Sequence, residues 1–229
     1  TTSFPIRFLP DIENAVLTVT NFDRRVTRDS ANADNQFRNI LEVRHNTSKD
    51  RVWLINELSM EMYLRGIAET SNSSPIEYQK AIVTAARTYA LYHFERQTKH
   101  AKEGFMVDAW RDQVYKGYGS EARLTNVVSA VEATRGIIVT YDGKTAVTPY
   151  FAHSDGRTRA WSEVWSGDIA WLKSVKVPCD EGRALFGHGV GMSARGAICM
   201  ANDGMIYQDI LKYFYTGVDL RRDWAGNGT

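Results

Sequence analysis

Two stretches of this 229-residue chain carry side chains able to move protons. One is the polar turn Glu69-Thr70-Ser71-Asn72-Ser73-Ser74-Pro75, which leads into an alanine-rich helical pattern from Ala81 to Leu91. The other is Gly187-His188-Gly189-Val190-Gly191-Met192-Ser193, where glycine at every second position packs nothing as a strand. Such a run lets the main chain pass close to a ligand or to another backbone. A carboxylate such as Glu69, desolvated in a cleft, would hold its proton at working pH and pass it to a leaving oxygen. Taken alone, Glu69 reads as a solvated loop residue, and the glycine run reads equally well as a structural joint. A Ser193–His188 nucleophilic set with an acid is the other chemistry these residue types permit, but no strand and nucleophile elbow precede Ser193.

The elements that must position these groups follow from local pattern. Ser74 is expected to cap a helix, with Pro75 in its first turn and Glu77 closing a capping box, so that Glu69 is held just before a rigid helix over Pro75 to Gln97. Helical spacing is also present over Met60 to Arg65, Glu121 to Thr134 (Val127, Val128 and Val131 on one face), Ser193 to Asn202 and Ile206 to Tyr215. Short apolar runs, Ala15 to Val19, Arg51 to Ile55, Gln113 to Tyr115 and Gly136 to Tyr141, predict strands. Asp142-Gly143 predicts a hairpin turn into Thr145 to Phe151. The fold class expected is α+β: a single mixed domain with an N-terminal β-rich lobe and a long helix bordering a substrate groove. The stretch Ala152 to Gly187 reads as loop and holds Trp161, Trp165 and Trp171, which suit either core packing or stacking on sugar rings.

Composition narrows the classes. At 43% hydrophobic residues the chain can bury one substantial core, and a formal net charge of +1 gives no footprint for nucleic acid. No run approaches the ~18 consecutive apolar residues of a membrane-spanning helix. The start, Thr1-Thr2-Ser3-Phe4-Pro5, does not have the form of a signal peptide. Cys179 and Cys199 flank the glycine run. In an oxidising compartment a disulfide between them would add roughly 3 kcal/mol on the chain-entropy view; the alternative is a buried thiol and a free one. Two cysteines without C-x-x-C spacing and five scattered histidines do not make a zinc site.

The turn, the helix and the glycine run together resemble the SpoIID/LytB family of bacterial cell-wall proteins, over roughly residues 50 to 220. An acid eight positions before the Glu of a helix written E-x-x-K-A…A-A-R-T-Y-A-L is matched by Glu69 and Glu77. The closing patterns G-H-G-V-G-M-S-x-x-G-A and I-L-K-x-[YF]-Y-T-G are matched by Gly187 to Ala197 and Ile210 to Gly217. Gly66 to Glu69 is shorter than the family's spacing, Thr70-Ser71 replaces Met-Pro, and Ala152-His153-Ser154-Asp155-Gly156 departs from the family's Ser-Ser-x-Gly-Gly.

The resemblance implies one SpoIID-like domain over 1–229, with 1–58 its β-rich portion and 59–220 its catalytic core. It implies a lytic transglycosylase that cleaves the MurNAc–GlcNAc bond of peptidoglycan and leaves a 1,6-anhydro sugar. The alternative is a non-catalytic, wall-binding amidase enhancer. Glu69 is then the catalytic acid and base. Arg87, Tyr150, His153, Ser154, Gly156, His188, Gly189, Gly191, Met192 and Ser193 are the candidate substrate-binding residues, Arg87 having Glu61 as an alternative, structural partner. Glu163 is a reserve acid, and an ordinary two-carboxylate glycosidase would need it or Asp155 near Glu69. Some relatives hold a Cys/His metal after the long helix. Here His93 to Ala109 offers His93 and His100 without cysteine, so neither metal nor cofactor is expected. The expected partners are glycan strands and a cell-wall amidase, and the expected location is extracellular or in the cell envelope.

Overall fold

The computed structural model describes residues 4–12, 14–22 and 33–222. Its N-terminal part is β-rich. Strand β1 (Ile6–Phe8) pairs with β4 (Ile40–Asn46), which forms an antiparallel hairpin with β5 (Arg51–Glu57) in the register Ile40 opposite Glu57 and Asn46 opposite Arg51. Strands β2 (Val16–Thr18) and β3 (Gln36–Arg38) form a second antiparallel pair. Phe37, Leu41 and Tyr115 are the buried centre of this region.

Two helices then carry the chain inward. Helix α1 (Met60–Arg65) begins at Ser59, whose hydroxyl accepts from the Met62 amide. Helix α2 (Ile76–Arg96) runs 21 residues, 13 of them buried and spread around its circumference, so it is the central rod of the main core rather than a surface helix. Ala81, Ala85, Ala86 and Ala90 keep its girth small enough for neighbours to close in.

Helix α2 starts one residue later than the sequence suggested. Pro75 is the capping residue and has no side-chain acceptor, which leaves Glu77 one position short of where a capping box needs it. The Glu77 carboxylate instead binds Lys80 and the backbone amide of Tyr207, while Ser74 accepts from the Thr70 hydroxyl. The expected Glu121–Thr134 helix is two, α3 (Tyr118–Arg123) and α4 (Thr125–Ala133), because Leu124 leaves helical geometry between them. Val127 and Val131 of α4 are buried as expected.

Strands β6 (Ile138–Tyr141) and β7 (Lys144–Thr145) form the expected hairpin about Asp142-Gly143, and β10 (Asp219–Arg221) pairs with the free edge of β6. Two-residue strands β8 (Tyr150–Phe151) and β9 (Met192–Ser193) run parallel. Helices α5 (Ala194–Asn202) and α6 (Tyr207–Phe214) close the chain around α2. Gln113 to Tyr115 is not a ladder strand: Tyr115 makes a single bridge to Ile67, flanked by Ala68 N to Val114 O and Lys116 N to Gly66 O, both 2.8 Å.

The architecture is α+β, as expected. Among the described residues no helix is long and apolar enough to cross a membrane. Cys179 and Cys199 are joined in a disulfide that ties the long loop after β8 to α5.

Candidate functional site

A groove of about 870 Å³ opens between the turn before α2, the segment 110–114, strand β8 and the first turns of α5. Glu69 and Tyr150 line it, as do Trp110, Asp112 and Gln113. Tyr78 and Ile82 are the contribution of α2, so the long helix does border the groove while serving as core elsewhere.

Glu69 is half-buried and meets only neutral donors. The Val114 amide donates to its Oε1 at 2.6 Å and the Tyr150 hydroxyl donates to the same oxygen at 3.1 Å. Among the described residues no donor reaches Oε2. Burial raises the pKa of Glu69 above the ordinary carboxylate value, and the two hydrogen bonds oppose this without cancelling it. A relay sets the direction of the Tyr150 hydroxyl: the Tyr63 hydroxyl donates to Gln113 Oε1 at 2.7 Å, and Gln113 Nε2 donates to the Tyr150 oxygen at 3.1 Å. Burial keeps both tyrosines protonated far above neutral pH, so they act as fixed donors.

Asp112 is a different kind of acid. Lys99, His100 and the Asp108 amide bind it, and together these partners lower its pKa against the opposing effect of burial. The His93 ring bonds Thr98 through Nδ1, and the His100 ring bonds Asp112 through Nε2. Each of these two histidines thus meets a protein partner through one ring nitrogen, and His93 Nε2 is buried with no hydrogen-bond partner among the described residues.

Most of the other predicted binding residues hold the groove rather than face it. Arg87 has no exposed surface. Its guanidinium grips Glu61 with two bonds, of 3.0 and 2.8 Å, and donates to Thr134 and to the carbonyls of Val131 and Ile137. The structural partner considered in the sequence is the one it has. Ser154 and Ser193 are buried on a common hub, Asp180 Oδ2, at 2.8 and 2.6 Å, and Ser193 also caps α5 through the Gly196 amide. That geometry ends the Ser193–His188 nucleophile reading, since the Ser193 proton is given to Asp180.

His188 locks its own loop. Its Nδ1 accepts from the Val190 amide, its ring lies against Phe151 and Trp165, and burial lowers its pKa. Gly189, Gly191 and Met192 are buried. At Gly191 the backbone has φ +79°, and a Cβ would stand 2.1 Å from the Pro149 carbonyl oxygen, so glycine is required for the run to lie against β8. The close approach is to another backbone. Gly156, at φ +111°, sits beside Glu181. His153 does line the groove, its ring tilted against Phe186.

Glu163 and Asp155 are surface acids paired with Arg157 and Arg159, and neither lines the groove. Trp161 packs against the core and against Trp165, while Trp171 donates from its indole to the Val147 carbonyl. The residues that sequence reading missed are Gln113, Asp112 and Trp110. Trp110 and Asp112 lie in a segment without periodicity or motif, Gln113 was read only as the start of a short strand, and only the contact of this segment with residues 66–69 brings them to the site.

Comparison with known proteins points the same way. The family described as Stage II sporulation protein, SpoIID, matches residues 48–141. A stage II sporulation protein D of Bacillus amyloliquefaciens is 24% identical, over 72% of this chain and 75% of its own length. An uncharacterised protein of Brachyspira hyodysenteriae is 36% identical over 55% of this chain, and an amidase enhancer of Bacillus subtilis is 34% identical over 49% of it. The chain spans 34% and 15% of the lengths of those two relatives.

Proposed function

Because the chain belongs to the SpoIID/LytB family, we propose that it works on the bacterial cell wall as a peptidoglycan lytic transglycosylase, with Glu69 as its acid and base. The observation that carries this is Glu69 itself: a carboxyl group on the groove wall, its pKa raised by burial, with both protein donors on one oxygen and the other oxygen left for substrate. A retaining or inverting hydrolase needs two carboxyl groups in play. The acids held in reserve for that reading, Glu163 and Asp155, stand in ion pairs outside the groove lining, and Asp112, which does line it, is bound by Lys99, His100 and the Asp108 amide.

In the proposed reaction Glu69 gives its proton to the glycosidic oxygen. The C1–O bond breaks with its electron pair going to that oxygen, which leaves as a hydroxyl. The resulting carboxylate then takes the proton of the muramyl 6-hydroxyl, whose oxygen bonds to C1 of the same ring. The product is a 1,6-anhydro end, and no water is consumed. The Val114 amide and the Tyr150 hydroxyl stabilise the carboxylate between the two proton transfers, so one group can serve both.

The similarity to an amidase enhancer supports a second reading, a wall-binding module that assists a cell-wall amidase without cutting glycan. Mass spectrometry of products from purified glycan strands, with and without stem peptides, separates the two. Anhydro-muramyl ends made by the parent and lost in Glu69→Gln support the transglycosylase. Reducing ends would mean hydrolysis, and glycan binding without any product would favour the enhancer.

A further inference from the structure

One wall of the groove has no part in the proton chemistry. Arg183 and Arg195 line it beside the Cys179–Cys199 disulfide. Arg183 is exposed and, among the described residues, forms no ion pair. The Arg195 side chain is half exposed and forms one long ion pair, Nε to the buried Asp180 Oδ1 at 3.8 Å, beyond hydrogen-bond distance. Asp180 Oδ2 is already occupied by Ser154 and Ser193.

The backbone ties this wall to the acid through one short segment of the same groove. The Arg195 amide donates to the Ala152 carbonyl at 3.1 Å, and Ala152 lies two residues beyond Tyr150, whose hydroxyl touches Glu69. The acids lining this groove do not cancel the arginines: Glu69 holds its proton more tightly than an ordinary carboxyl group, and Asp112 is bound to Lys99 and His100.

We infer that Arg183 and Arg195 form an anion subsite that takes a carboxylate carried by the muramyl residue being cut. The inference rests on the glycan reading above and goes on to say which chemical group the groove selects. A muramyl ring bears a lactyl group on O3. Stripped of peptide, that group ends in a carboxylate; with a peptide attached it is an amide, and the carboxylates lie further out along the peptide. Guanidinium groups bind either by paired, charge-assisted hydrogen bonds.

The test uses the Glu69→Gln chain, which would hold substrate without turning it over, and four soluble oligosaccharides. These are a peptide-stripped muramyl oligomer, the same oligomer with its lactyl carboxylates converted to carboxamides, a peptide-bearing oligomer, and a chitin oligomer without lactyl groups. Calorimetry should show the free carboxylate, or the peptide-bearing form if the peptide is the source, binding about tenfold more tightly than the carboxamide. Adding Arg183→Gln and Arg195→Gln together should abolish that preference, and Arg183→Gln alone should reduce it. Chitin binding should not change. Arg183→Gln guards against misfolding, because that side chain is exposed and unpaired among the described residues. Equal affinity for carboxylate, carboxamide and peptide-bearing forms, or a preference that survives both substitutions, would overturn the subsite while leaving the glycan reading intact. A folded chain that binds none of the four would overturn both.

Discussion

Glu61 and Glu69 stand eight residues apart, on α1 and on the turn that follows it, and each accepts a hydrogen bond from a distant backbone amide, Gly136 and Val114 respectively. Their second partners differ. Glu61 receives the guanidinium of Arg87, fully enclosed between α1, α2 and α4; Glu69 receives a tyrosine hydroxyl at the edge of a groove. A carboxylate matched by a cation is a clamp, since its charge is already answered. A carboxyl group surrounded by neutral donors in a poorly solvated place is a proton store, because burial favours the form that keeps the proton.

The largest effect that would sharpen this contrast is on turnover. Glu69→Gln should lower the rate of anhydro-end formation by about 10²–10⁴ while leaving glycan affinity within a few-fold, measured by product mass spectrometry and calorimetry. The matching change on the other side, Glu61→Gln, leaves the buried Arg87 charge unanswered and should cost about 3–5 kcal/mol in urea unfolding. Below the unfolding threshold it should not alter the pH dependence of turnover. A folded Glu61→Gln protein with a shifted pH profile would break the division between clamp and proton store.

A smaller effect concerns the donor that holds Glu69 down. The Tyr150 hydroxyl bond lowers the Glu69 pKa, so Tyr150→Phe should raise it further. The alkaline limb of the pH–rate profile should then move to higher pH, with turnover falling about tenfold as the relay from Tyr63 and Gln113 is lost. An unchanged limb would mean that Tyr150 only positions substrate.

The smallest effect is on stability. Between the ordinary carboxyl value of 4.5 and its raised value in the fold, Glu69 keeps a proton that the unfolded chain has released. Folding stability from this group is therefore present at low pH and lost as pH rises through the raised value. Glu69→Gln should remove that slope and leave the protein more stable at neutral pH, read from chemical denaturation across pH.

Local elements were legible in the sequence. The long helix, the Asp142-Gly143 hairpin and the two closing helices all follow from periodicity and turn chemistry, because neighbours in sequence determine them. Glu69 was singled out as a candidate through its spacing to Glu77 and the resemblance this supports, and the glycine run does make a close approach, to another backbone, which sequence could not specify. What escaped depended on distant partners. Nothing near Asp180 marks it as the hub for Ser154 and Ser193, nothing near Gln113 marks its place between Tyr63 and Tyr150, and the expected cap Ser74 bonds Thr70 while the cap position of α2 falls on Pro75.

The short parallel contact of β8 with β9 joins residues 42 apart in the chain by only two residue pairs, and the donors of Glu69 come from positions 45 and 81 residues away. Contacts that close such long loops form late in folding, after the helices have gained their local bonds. Until then Glu69 is an ordinary carboxylate in water. The proton-transfer capacity proposed for it is thus a property of the finished fold, present only while these long-range contacts hold. Hydrogen exchange at the Val114 amide reads that opening directly.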